Sequence, residues 1–149
     1  MLNNLPIEKH LSAGLIVVHF DGERYRLLTL RTFNDWDFPK TQVNDGDDPM
    51  QAALTVTEEL TGLTDLELPW GEEHRETLAF EDGDVSRYYI AQSQTDDVEL
   101  RVPSGDGGLE DYEYRWVTAD EAEDVLPPRL GVVLHFAVRQ LTSGAGQKR

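Results

Sequence analysis

Residues 12–20, SAGLIVVHF, form a β-branched, apolar run that ends at Asp21-Gly22, and YRLLTL at 25–30 follows at once. Such side chains favour extended backbone, and Asp-Gly supplies the turn that folds one strand back on another. The chain is therefore expected to open on an antiparallel hairpin. The next regular signal is a helix. Asp48 followed by Pro49 reads as N-cap and first helical residue, the helix should run to about Leu60, and Gly62 stands where it must stop. Between the two, the Asn- and Asp-rich stretch 32–37 predicts a loop, Phe38-Pro39 limits further pairing, and 45–48 is a polar turn.

Strands are expected again at 76–80 and 85–91, on either side of Glu81-Asp82-Gly83-Asp84. A further pair is expected at 98–102 and 112–117, separated by a Gly-rich loop at 104–108. Thr118 with Glu121 has the spacing of a capping box for a short helix through Val125. Pro127-Pro128 opens a last helix, in which Leu130, Val133, Leu134, Ala137 and Leu141 recur at helical spacing and should face the core. Strands, one helix, more strands and two helices fit an α+β sandwich with a mixed or antiparallel sheet.

The size of the chain, 149 residues at 39% hydrophobic content, suits one core, so a single domain over 1–149 is expected. Its core should span about 10–141, with a flexible tail at 142–149. The formal net charge is −16, from 29 Asp plus Glu against 13 Lys plus Arg. A field of that sign repels polyanions, which argues against nucleic-acid or anionic-membrane binding. A small phosphorylated ligand is still compatible with it, because a local basic pocket or a divalent cation reverses the field within a site. The plain reading of the acidity is solubility, or adaptation to high salt. Cysteine is absent, which removes disulfides, thiolate metal sites and thiol nucleophiles. The N-terminus lacks the pattern of a secretory signal and no apolar stretch reaches membrane-span length, so a cytoplasmic location is expected.

Residues 36–63 read WDFPKTQVNDGDDPMQAALTVTEELTGL. This stretch resembles the box of the Nudix hydrolases, G-x5-E-x7-R-E-U-x-E-E-x-G-U with U a bulky apolar residue. Gly62 and Leu63 fall on the closing glycine and apolar position, Glu59 on the first glutamate of the E-E pair, and Ala52, Ala53 and Thr61 on residues common in the family. The approach Phe38-Pro39-Lys40 is also typical. SAG at 12–14, YYIA at 88–91 and EDYEYRW at 110–116 resemble the diadenosine tetraphosphate hydrolase branch, and the likeness extends over roughly 10–141. The departures lie inside the box. Thr41 replaces its opening glycine and Asp47 its first glutamate, while Thr55 replaces the arginine and Val56 and Leu60 replace two glutamates.

The resemblance implies an α/β/α sandwich, a Mg²⁺ or Mn²⁺ cofactor, and a nucleotide or dinucleoside polyphosphate as ligand. Asp47, Glu59 and Glu110 would be the metal ligands, with Glu59 and Glu110 also catalytic. Lys40 and Arg31 would contact phosphates, and Tyr88 or Tyr114 would stack on a base. Each residue also has an ordinary use: a solvated lysine, an exposed salt bridge for Arg31, loop acidity for Glu110, and core packing for the strand tyrosines. His10, His19, His74 and His135 show no ligand spacing. Helical geometry puts 56, 59 and 60 on one face, where the family holds hard cations through carboxylates. Here that face reads Val56, Glu59, Leu60, so hydrolysis is expected to be weakened or lost. Alternatively, 50, 53, 54, 57 and 60 form a buried stripe with Glu58 and Glu59 in solvent. Two functions follow: a hydrolase of a nucleoside polyphosphate such as diadenosine tetraphosphate, or a silent Nudix-fold nucleotide sensor or protein-interaction module.

Overall fold

The computed structural model describes residues 10–32, 35–78, 84–102 and 111–143. The opening hairpin forms as expected: β1 (Leu11–Phe20) and β2 (Tyr25–Thr32) run antiparallel with Val18 opposite Leu27, around Gly22 at φ 103°. On its other edge β1 runs parallel to β6 (Val85–Gln92), from Leu11 opposite Val85 to Val18 opposite Gln92. β5 (His74–Glu76) borders β6, and β7 (Tyr112–Val117) borders β2, both antiparallel. Two short strands fill the space where β1 and β2 diverge, β3 (Asp35–Asp37) on β2 and β4 (Lys40–Gln42) on β1. The result is a mixed seven-stranded sheet.

Helices cover both faces, which is why β1 is buried without a break from Ala13 to Val18. Ala13, Leu15 and Val17 join Leu28, Leu30, Tyr89 and Ala91 in the core beneath α1 (Pro49–Thr61). Ile16, Val18, Leu27, Tyr88 and Ile90 pack on the other side with residues of α2 (Ala119–Val125) and α3 (Gly131–Thr142). A one-residue slip of β1 would exchange these two sets, so the two covers fix its register. Gly14 marks a close approach on the second face. A Cβ there would lie 2.7 Å from the Tyr88 ring and 3.0 Å from the Pro39 carbonyl oxygen. Gly14→Ala should therefore cost about 1–3 kcal/mol by overpacking, read as a lower melting temperature. Unchanged melting would show that the ring moves aside freely.

The helical expectations hold closely. All of Leu130, Val133, Leu134, Ala137 and Leu141 are buried. Thr118 and Glu121 form both bonds of the capping box, Thr118 accepting from the Glu121 N–H at 3.3 Å and Glu121 from the Thr118 N–H at 2.8 Å. Four expectations need correction. The stretch 32–37 is not all loop, since 35–37 pair with β2. The strand expected from residue 76 instead spans His74–Glu76; Thr77 adds one bond from its N–H to the Ser86 carbonyl, and 79–83 lie outside the described residues. Residues 98–102 form no strand. Glu99 and Arg101 instead donate their N–H groups to the Thr61 and Leu60 carbonyls, at 3.0 and 2.9 Å, and so satisfy acceptors left open at the end of α1. Finally, the tail cannot begin at 142, because Thr142 ends α3; the Gly-rich loop 104–108 and 144–149 lie outside the described residues. No described helix is long and apolar enough to cross a membrane.

Candidate functional site

The sequence motif folds into a strand, a turn and a helix. β4 ends at Gln42, the turn passes through Gly46 at φ 86°, and α1 starts after Asp48, whose backbone is extended at φ −76° and ψ 120°. Asp48 takes the N-cap position without making a side-chain cap bond. Asp48 instead helps line a cleft of about 340 Å³ between this turn and α1. Asp47 and Glu59 line the same cleft, with Thr41, Gln42, Asn44, Gln51 and Thr55 as neutral hydrogen-bonding groups and Ala52 and Val56 as apolar ones. Among the described residues no lysine, arginine or histidine lines it.

Leu60 does not share this face. It packs partly buried against the core beneath α1, together with Leu54, while Met50, Ala53 and Thr57 are buried and Glu58 and Glu59 are exposed. The helix thus keeps most of an ordinary buried stripe and turns only 51, 52, 55, 56 and 59 to the cleft. The expectation that 56, 59 and 60 point together is corrected: Val56 and Glu59 do, and Leu60 lies toward the core. Thr57 and Thr61 are tolerated in the stripe because each hydroxyl donates to the carbonyl four residues back, at 2.8 and 2.6 Å.

The divalent cation implied by the resemblance prefers several oxygen ligands in a defined geometry. Asp47, Asp48 and Glu59 are hard donors in one cleft, yet the described residues bring no three acidic or imidazole groups together as a metal cluster. The donor set therefore does not make a closed cage. Glu110, expected as a further carboxylate, lies outside the described residues.

Lys40 belongs to the other face of the sheet. It pairs with Gly14, and the Gly14 position abuts the Tyr88 ring in the core beneath α3. Its Nζ lies 3.1 Å from Asp37 Oδ2 and 3.5 Å from Ser86 Oγ. Asp37, with a side chain only 14% exposed, gathers three further donors: the Phe38 N–H at 2.6 Å, the Tyr88 hydroxyl at 2.8 Å and Arg129 at 3.3 Å. Burial, and then the charge of Asp37 and the bond to it, push the Tyr88 phenol far above its ordinary range, so it serves as a neutral donor. Tyr88 is fully buried with its ring 5.8 Å from Phe38, so its expected role as a stacking surface gives way to core packing.

Arg31 also lies on the α3 side, where its Nε donates to Glu113 at 3.2 Å. The bond from Arg31, followed by that from Arg115, holds the Glu113 carboxyl below the usual range. Arg115 in turn sits 4.9 Å from the centre of the Trp36 ring. Tyr114 pairs with Leu30 on the α1 side and is 37% exposed, so its ring is open to a ligand. The structure thus brings Asp47 and Glu59 together and sets Lys40 and Arg31 behind the sheet from them. The Asp37 centre was not foreseen. The spacing Asp37 to Lys40 hinted at one pair, but nothing local foretells Arg129, ninety-two residues away.

Comparison with known proteins agrees with this architecture. The model of the NUDIX domain matches residues 8–136. A crystal structure of a C. elegans Ap4A hydrolase binary complex is similar at TM-score 0.75 and 22% identity, covering 90% of this chain and 98% of that one. RenU, a Nudix hydrolase from M. smegmatis, is similar at TM-score 0.63 and 20% identity, with 91% and 86% covered. The NUDIX domain of Shewanella oneidensis NrtR, solved with ADP ribose, is similar at TM-score 0.64 and 13% identity, with 93% and 96% covered. No curated protein matches the chain. At these identities the solved structures speak for the fold alone, whereas the domain model spans most of the sequence: the chain belongs to the Nudix family.

Proposed function

We propose that this chain binds a nucleoside polyphosphate of the diadenosine tetraphosphate kind and that its pyrophosphate-bond hydrolysis is weakened or lost. The observation that carries this reading is Val56, an apolar side chain in the same cleft as Asp47 and Glu59, at a position where the family box has glutamate. A carboxylate missing there removes a ligand from the cation that would neutralise phosphate charge and activate water. Glu59 and Asp47, with Glu110, remain the proposed carboxylates for Mg²⁺ or Mn²⁺. Phosphates are assigned to Lys40 and Arg31 and a base to Tyr114. The strand β4 is the bridge in this proposal. Among the described residues it pairs only with β1, and it carries Lys40 on one face and Thr41, at the rim of the cleft, on the other. A polyphosphate crossing its open edge would reach both.

A calorimetric titration of the full chain with diadenosine tetraphosphate, alongside product analysis with Mg²⁺ and with Mn²⁺, tests the proposal. Binding with turnover far below about 1 s⁻¹ is expected. Absence of binding would overturn it, and so would turnover of ordinary enzymatic size that Glu59→Gln abolishes. The second reading, a silent sensor or interaction module, has one favourable observation: a domain of this fold, that of NrtR, has been solved with ADP ribose. It requires binding without any product.

A further inference from the structure

Behind the sheet from the cleft, α3 and β5 enclose a groove of about 370 Å³. Arg75 comes from β5, where it pairs with Tyr88 and so projects to the α3 side. His135, Phe136 and Arg139 come from α3, and their spacing puts them on one flank of that helix. The core-facing residues Val133, Leu134, Ala137 and Leu141 occupy the neighbouring stripe, so this flank is left to solvent. Arg75, His135 and Arg139 are exposed, and among the described residues no carboxylate lines the groove.

Six of the other described arginines are paired, and only Arg24, on the opening hairpin, is not paired among the described residues. Arg26, Arg31, Arg87, Arg101, Arg115 and Arg129 each meet a carboxylate within 4.0 Å. Arg75 and Arg139 form no ion pair among the described residues, in a chain where acidic groups outnumber basic ones 29 to 13. Carboxylates are plentiful, yet two guanidiniums and an imidazole converge on one recess with no carboxylate among the described residues. Guanidinium forks match phosphate oxygens bidentately, and a concave site of this size suits a small ligand.

We infer that this groove is an anion site for the phosphate group of a small molecule, with Arg75 and Arg139 as its clamps, His135 as a further donor and Phe136 as its apolar wall. It is separate from the box cleft, since the two lie on opposite faces of the sheet. The chemistry is shared by free phosphate, a sugar phosphate and a nucleotide, and three probes distinguish these sources. Inorganic phosphate, ribose 5-phosphate and AMP should each be titrated into the isotope-labelled full chain without divalent metal, following backbone amide signals. Saturable shifts at Arg75, His135, Phe136 and Arg139 are expected with at least one probe. Tighter binding of AMP than of phosphate would assign the wall a role in holding the base, and equal binding would assign the site to phosphate alone.

Arg75→Gln with Arg139→Gln should weaken those shifts by about tenfold or more, because each charge-assisted fork is lost. Any response at Asp47 to Glu59 should persist in the same variant, which separates this site from the cleft. Arg139→Lys, which keeps charge but loses the fork, should fall between. Absence of shifts in the groove with all three probes would overturn the inference, as would shifts that survive in the double variant. Thermal melting of each variant checks that the fold is intact; both arginines are exposed, and little change is expected.

Discussion

Val56→Glu is expected to raise both Mn²⁺ affinity and the hydrolysis of diadenosine tetraphosphate, the latter by about thirtyfold if the added ligand contributes about 2 kcal/mol at the transition state. Position 56 is where such a gain is possible. Its side chain lines an open cleft already occupied by Asp47, Asp48 and Glu59, and the helix delivers residues 55, 56 and 59 to that one recess. A glutamate there meets neighbouring carboxylates, so without metal it should lower the melting temperature slightly, and with Mn²⁺ that loss should reverse. Leu60→Glu is expected to behave differently. Leu60 packs against the core beneath α1, so a carboxylate there costs about 1–3 kcal/mol and adds little to metal binding. Calorimetry with Mn²⁺ and product release measured on the same samples check both variants. No rise in either quantity for a folded Val56→Glu would show that the deficit lies beyond this position, and an equal gain from Leu60→Glu would show that α1 rotates in solution.

The contrast between these two positions shows how far the sequence reaches. Periodicity says that 56, 59 and 60 are neighbours on a helix, and they are; it does not say where the boundary between core and cleft falls among them. That boundary is set by what α1 packs on, namely three separate strands, β1, β4 and β6. The same division recurs across the fold. The capping box at Thr118 and the buried stripe of α3 were legible because each depends on residues three or four apart. The segment 98–102 was misjudged because its alternation of apolar and polar residues suits a strand, while its actual partners are the last carbonyls of a helix far away in sequence. Lys40 illustrates the same limit within the site. The motif identified it, but the pairing of β4 with β1 decided which face of the sheet receives it.

Asp37→Ala should be strongly destabilising. It removes an acceptor that serves the Phe38 N–H, the Tyr88 hydroxyl, Lys40 and Arg129 at once, from a side chain that is largely buried. Deleting one partner of a buried ion pair costs about 3–5 kcal/mol, because the remaining charges lose their compensation. Lys40 and Arg129 are each about a third exposed, so water recovers part of that loss and the lower end, about 3 kcal/mol, is expected. For a chain of this length that corresponds to a melting temperature lower by roughly 6–12 °C. Asp37→Asn separates charge from hydrogen bonding. Its amide oxygen can still accept from Tyr88 or Phe38, so it should fall between wild type and Asp37→Ala, while leaving Lys40 and Arg129 beside one another without a counterion. Added phosphate should then raise the melting temperature of Asp37→Asn more than that of the native chain, because the anion supplies the missing negative charge. That differential response would mark Lys40 and Arg129 together as a cationic pair held by Asp37 but able to bind phosphate. An Asp37→Ala protein that melts within about 2 °C of the native one would show that the four donors find other partners, and the centre would then lose its claim to organise this end of the sheet.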